Sequence, residues 1–159
     1  VNYVLVNIGI LDKPYNFLTQ PFAAKMVILL GLLWRWTGYN MVFFLSGLQN
    51  IEYSVYEAAK IDGASAIQTF FKITVPLLKP TILLTAIMST NGTLQLFDES
   101  VNLTDGGPAN ASISMSHYIY NLCFKYVPNF GYAAAMSFFI LLLVAVLAFI
   151  QMRVGDKRD

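Results

Sequence analysis

From Tyr132 to Met152 the sequence runs without a single charge, through Phe138-Phe139-Ile140-Leu141-Leu142-Leu143-Val144. About 20 mostly apolar residues are enough for a helix to cross the hydrocarbon core of a bilayer. A helix that is apolar all round has to be buried or in lipid. This segment therefore points the chain to a membrane architecture. Arg153, Lys157 and Arg158 follow it, a basic stop of the kind that stays in the cytoplasm. Gly131, Ala133, Ala134, Ala135 and Ser137 open the segment, and such small residues predict close approach by another helix.

Two further stretches fit the same reading. Val27–Leu48 carries one charge, Arg35, between Trp34 and Trp36. That arginine either faces a wet cavity or a protein partner, or snorkels to an interface with the tryptophans as a belt. Thr81–Phe97 is uncharged but holds Thr81, Thr85, Ser89, Thr90, Asn91, Thr93 and Gln95, and Asp98-Glu99 follow at once. Lipid would not tolerate these groups, whereas a polar passage or the inside of a bundle would. Asn91, Gln95 and Asp98 recur at helical spacing and are candidates for the lining of a solute pathway; the alternative is bundle packing through polar contacts.

The expected fold is all-α, a polytopic transmembrane helix bundle with spans at about 26–48, 80–100 and 131–152. Residues 1–25, with Pro14 and Pro21, read as a loop with a short interfacial helix. Asp105-Gly106-Gly107-Pro108 reads as a turn, and Tyr118, Tyr120, Phe124 and Tyr126 as an interfacial aromatic belt. A basic tail inside places the loop 49–79 in the cytoplasm, with Lys60, Lys72 and Lys79; Lys13, Lys25 and Lys125 fall outside. The chain starts on Val1 among loop-like residues, with no basic n-region or cleavage site. It reads as the C-terminal part of a longer membrane protein.

Other classes recede. Of all residues 57% are apolar and only 12% charged, against about 25% charged in soluble domains. The net charge of +1 and the lack of a basic cluster give no footprint for nucleic acid. One cysteine, Cys123, cannot form an internal disulfide, and with the single His117 it cannot build a usual zinc site.

The loop 49–79 carries the most specific pattern. Ser54-x-x-Glu57 forms a capping box that would start a helix, and Asp62-Gly63 can end it. Ser65-x-x-Gln68 would start a second helix, limited by Pro76 and Pro80. The expectation is a helical hairpin hinged at Gly63, showing Val55, Ala58, Ala59, Ile67, Phe70 and Phe71. Exposed apolar groups on such a hairpin imply a docking partner or burial under the bundle.

Glu57-Ala58-Ala59, three residues, Gly63, nine residues, and Ile73-x-Val75-Pro76 resemble the EAA loop of binding-protein-dependent ABC importer permeases. Val75 departs from the usual leucine. The extended form, with Asp62, Gly63, Ala64 and Ser65, is present. Trp34-Arg35-Trp36-Thr37-Gly38-Tyr39, Leu103-Thr104-Asp105-Gly106-Gly107-Pro108 and Gly131-Tyr132-Ala133-Ala134-Ala135 are similar to the sugar-uptake branch, of maltose and glycerol-phosphate type.

The resemblance implies a membrane subunit with a type I importer fold that assembles with an ABC ATPase subunit, a second homologous permease and an extracytoplasmic solute-binding protein. Glu57, Ala58, Ala59, Asp62, Gly63, Ala64, Ile73 and Pro76 would form the coupling loop that docks on the ATPase. No cofactor is expected. ATP would be bound by the ATPase, and this chain has no phosphate-binding loop of its own. An ion-driven secondary transporter or channel is the alternative, and it would need no docking loop. A membrane enzyme would need clustered reactive groups, which the sequence lacks.

Overall fold

The computed structural model describes residues 2–9 and 12–155. Lys157 and Arg158 of the basic stop lie outside the described residues. Within these, regular structure is entirely helical, as the long apolar stretches predicted: α1 Asn2–Asn7, α2 Pro21–Gln49, α3 Tyr53–Ile61, α4 Ala66–Thr69, α5 Val75–Leu77, α6 Lys79–Leu94, α7 Met115–Tyr120 and α8 Phe130–Gly155. Short π-helical turns at Phe70–Thr74, Ser100–Thr104 and Asn121–Lys125 interrupt or extend them.

α2 and α8, at 29 and 26 residues, are long and apolar enough to cross a membrane. Pro21 opens α2, where its missing N–H costs nothing. Phe138, Phe139, Leu141, Leu142, Val146 and Phe149 of α8 are all exposed, a distribution suited to lipid. Of the small residues opening α8, Ala133 is buried whereas Ala134 and Ala135 stay exposed.

The third stretch departs from the expected span. α6 begins at Lys79 and stops at Leu94, and Gln95 has already left helical geometry at φ −95°, ψ 21°. At 16 residues α6 is about 24 Å long, short of the roughly 30 Å hydrocarbon core. Asn91, Gly92 and Thr93 in its last turn are all poor helix formers, which accounts for the early end. At its start, α6 is joined to the helical run Ala66–Leu77 across a bend of 65°. The bend lies at Leu78, between Pro76 and Pro80, so the prolines bend the run where the sequence suggested a stop.

The chain divides into two compact units, each with its own interior. One comprises the chain through Leu32 together with Leu96–Ala133; the other comprises Leu33–Gln95 and the chain from Ala134. The first is built on Ala24, Ile28 and Leu32, one face of α2 at four-residue spacing, with Leu122 and Ala133. In the second, Leu78 is buried at the bend against Gly47 of α2: a Cβ on Gly47 would fall 2.9 Å from Leu78 Cδ2 and 2.8 Å from Thr81 Oγ1.

Polar residues of α6 stitch this second unit. Ser89 shares hydrogen bonds of 3.1 and 3.3 Å with Asn40 of α2, and Gln151 of α8 donates to Thr90 at 2.7 Å. The Thr85 hydroxyl donates back to Thr81 O and Ile82 O. The bonds between helices, at Ser89–Asn40 and Gln151–Thr90, contribute about 0.6 kcal/mol each in membranes.

Candidate functional site

The hairpin forms between α3 and the run Ala66–Leu77. Its turn is set by backbone conformation: α3 ends at Ile61, Asp62 caps it, and Gly63 takes φ +76°. The second helix starts on the expected box, with Ser65 Oγ accepting from Gln68 N at 3.3 Å and Gln68 Oε1 accepting from Ser65 N at 2.9 Å. Ser65→Ala should destabilise this helix start by about 1 kcal/mol, seen as faster hydrogen exchange at the Gln68 amide.

The first box is not formed. Glu52 is the N-cap of α3, and the Ser54 hydroxyl, inside the first turn, donates to Glu52 Oε2 at 3.1 Å. Because the helix starts two residues before the expected cap, Glu57 has no capping role and is an exposed side chain of α3. The same register turns Ala59 inward at 5% exposure, contrary to its expected display. Glu57, Ala58, Asp62, Gly63 and Pro76 are exposed; Ala64 and Ile73 are half-buried. Ile61, Ile67 and Phe71 are 86%, 73% and 65% exposed, a strong apolar display around the turn. Ile61 was absent from the sequence reading, since only the inward turn of Ala59 reveals which side of α3 is free. Tyr56 Oη and Thr74 Oγ1, 3.3 Å apart, tie the two arms together.

A cavity of about 420 Å³ lies between α2 and α6, lined by Arg35, Trp36, Tyr39, Met88, Asn91 and Gly92. Arg35 thus faces a cavity, with its guanidinium carbon 5.5 Å from the Trp36 ring, while Trp34 is 86% exposed on the outer surface. Asn91 accepts from Gln95 Nε2 at 2.7 Å. Of the three expected pathway residues, Asn91 lines the cavity and Gln95 is bonded to it; Asp98 lies past the end of α6, in the other unit. Trp36, Tyr39, Met88 and Gly92 were missed as lining residues. The spacings of three and four from Trp36 and Arg35 to Tyr39, one helix face, were the available signal.

A buried polar cluster organises residues 100–125 in the first unit. Ser100 and His117 are fully buried. Ser100 Oγ donates to Ser112 O at 2.8 Å and accepts from Ser114 N at 3.3 Å. With its one proton so used, the hydroxyl accepts from His117 Nδ1 at 2.9 Å, which makes Nδ1 the protonated nitrogen of the neutral ring. Ser112 Oγ is bonded to Thr104 Oγ1 at 2.7 Å and to Gly107 O. Burial, and then the Lys125 charge, holds the His117 pKa below 6.5, against the pull of Asp105. Asp105 lies 3.7 Å from His117 Nε2 and is itself bound to Lys125 at 2.7 Å, which lowers its own pKa. Buried Ser100 is placed to brace the loop and is closed to solvent as a nucleophile. No group of three or more His, Cys, Asp or Glu side chains that could hold a metal occurs among the described residues.

Comparison with known proteins adds the lineage. Residues 3–158 match the family described as the binding-protein-dependent transport system inner membrane component. The lactose transport system permease protein LacF of Rhizobium radiobacter is 54% identical over 160 residues, covering 99% of this chain and 54% of that protein. The trehalose/maltose transport system permease protein MalF of Thermococcus litoralis is 35% identical over 157 residues, covering 99% of this chain and 52% of that protein. The chain thus spans about half the length of these curated relatives. It also superposes on a chain of the crystal structure of a bacterial ABC transporter involved in import of the acidic polysaccharide alginate. The TM-score is 0.82 and the identity 25%, over 97% of this chain and 53% of that one. By sequence and fold alike, the chain belongs to the family of inner-membrane components of binding-protein-dependent transport systems, whose members are transport permeases and not enzymes.

Proposed function

We propose that this chain is part of the membrane-spanning permease subunit of an ATP-driven ABC importer that takes up a carbohydrate. The observation that carries the reading is the hairpin of α3 and Ala66–Leu77, with its exposed apolar turn, continuing through a bend into α6. A cleft on an ATPase subunit would take up Ile61, Ile67 and Phe71, with Glu57, Ala58, Ala59, Asp62, Gly63, Ala64, Ile73 and Pro76 shaping the docked loop. The ATPase supplies the ATP site. An extracytoplasmic solute-binding protein delivers the solute, and a second homologous permease completes the bundle around α6.

The carbohydrate class draws support from the lactose and trehalose/maltose transport of the relatives and from the cavity. Trp36 and Tyr39 offer flat apolar faces there, and Arg35 and Asn91 offer hydrogen-bond donors. A mostly apolar surround with a few directed polar groups suits a sugar. The chain sits in the cell membrane as a multi-pass protein, with the hairpin in the cytoplasm and the loop around His117 outside.

Site-directed cross-linking tests the docking. Single cysteines replace Ala58 or Ala64 in the full-length protein, with Cys123 removed, and membranes are probed with the co-expressed ATPase subunit. The expected result is a cross-link whose yield changes with ATP. Failure at both positions, in a complex shown to be assembled, sinks the docking claim and favours an ion-driven transporter.

A further inference from the structure

The indole of Trp36 rests on Gly92. A Cβ added to Gly92 would fall 2.2 Å from Trp36 Cζ2 and 2.6 Å from Cη2. Carbon atoms pack at about 3.5–4.0 Å, so even an alanine needs the ring edge to retreat by more than about 1 Å. The residue is glycine for want of space, since α6 is regular helix here. A glycine inside a helix costs up to about 1 kcal/mol relative to alanine, so the bare position is a local sacrifice that the indole contact explains.

No hydrogen bond among the described residues holds the ring instead. The Trp36 indole nitrogen is buried and has no hydrogen-bond partner among the described residues. Its other neighbours are soft: Tyr39 lies edge-on at 5.6 Å between centroids, and the Arg35 guanidinium carbon is 5.5 Å from its ring. On its Gly92 side the ring meets backbone, which cannot yield. The same ring forms part of the wall of the cavity that also holds Arg35, Met88 and Asn91. A ring driven off Gly92 has the cavity as open space to enter, since the other side is α6 itself.

We infer that Gly92 is a positioning residue for Trp36, and that this contact sets the width of the cavity and hence the size of solute it admits. The part concerning solute rests on the reading of the cavity as a sugar passage; the part concerning the ring does not. A cysteine replacing Met88 in the full-length, assembled transporter, with Cys123 and any other cysteine replaced by serine, reports on the cavity directly. Its labelling by a small methanethiosulfonate and by a bulky aromatic maleimide gives a size ratio.

Gly92→Ala is expected to slow the bulky reagent by about threefold or more relative to the small one, as the ring moves over the space of a methyl group. Trp36→Ala in the same chain is expected to restore the ratio. Trp36→Leu with Gly92 intact should speed the bulky reagent, and it provides the test if Gly92→Ala fails to assemble. An unchanged ratio in the assembled Gly92→Ala transporter, or an altered ratio that Trp36→Ala does not restore, overturns the positioning role. If neither Gly92→Ala nor its partner assembles, an unchanged ratio in Trp36→Leu overturns it likewise.

Uptake is then compared for a monosaccharide, a disaccharide and a trisaccharide, each in a transporter shown to accept it before substitution. The expected loss in Gly92→Ala grows with solute size. A changed labelling ratio with equal uptake loss for all three leaves Gly92 seating Trp36 but overturns the size limit, and with it the cavity as the sugar passage.

Discussion

Gly63→Val is expected to lower uptake by about tenfold or more in an assembled transporter. Gly63 holds φ +76°, and a β-branched residue there costs upwards of about 1–2 kcal/mol, with tenfold corresponding to about 1.4 kcal/mol. The strain would be relieved by reshaping the turn, moving Ile61 and Ile67 relative to each other and spoiling the docked surface. Space is not the issue, because among the described residues no atom beyond its chain neighbours lies within 4 Å of a Cβ built at Gly63. The defect should therefore follow backbone tolerance and not side-chain size. Gly63→Asn, which accepts left-handed geometry, should keep most of the uptake, Gly63→Ala less, and Gly63→Val least. Equal uptake in all three would remove the conformational role assigned to this residue.

The second large effect concerns the loop around His117. His117→Ala should destabilise residues 100–125 by about 3 kcal/mol, since it empties a fully buried site and leaves the Ser100 hydroxyl one partner short. Hydrogen exchange across the loop, in the full-length protein in detergent, would show the difference. The wild-type loop should also respond to pH. The folded pKa of His117 lies below 6.5, so the unfolded loop binds more protons as pH falls through that value. Stability is full above about pH 6.5 and declines as pH falls through the folded pKa. Asp105, already held below 3.8, loses its share only in far stronger acid, and Lys125, raised above 10.5, only in strong base. His117→Phe should flatten the profile below pH 6.5. A profile of unchanged slope in that variant would assign the dependence elsewhere.

How much of this was legible beforehand differs by element. α2 and α8 announced themselves, because a long stretch of mostly apolar residues with at most one charge needs no tertiary partner to be recognised. The hairpin was legible where local chemistry fixes it, at Gly63 and at the Ser65–Gln68 box. Its start was misplaced because Glu52, an ordinary surface residue by type, takes the cap position two residues ahead of Ser54. The end of α6 was missed since Asn91, Gly92 and Thr93 weaken the helix together while each is tolerable alone. Seating of Trp36 on Gly92 was not legible at all: a close approach is a property of two helices, and nothing in the local sequence around Gly92 marks it. The buried cluster was equally silent, as Ser100, Ser112 and His117 are common residue types brought together from 12 to 17 positions apart.

The bend at Leu78 makes the hairpin arm and α6 a bell crank. One arm, Ala66–Leu77, is about 18 Å long and the other, Lys79–Leu94, about 24 Å. The joint is buried and seated on Gly47, which gives it a fulcrum instead of a free elbow. With arms of about 18 and 24 Å, a crank changes the direction of a stroke and enlarges its amplitude by about a third. A push of about 3 Å on the hairpin arm would swing the far end of α6 by about 4 Å, in the ratio of the arms. That far end carries Asn91 and Gly92, so displacement applied at the surface hairpin would be delivered, turned through the bend, to the wall of the cavity.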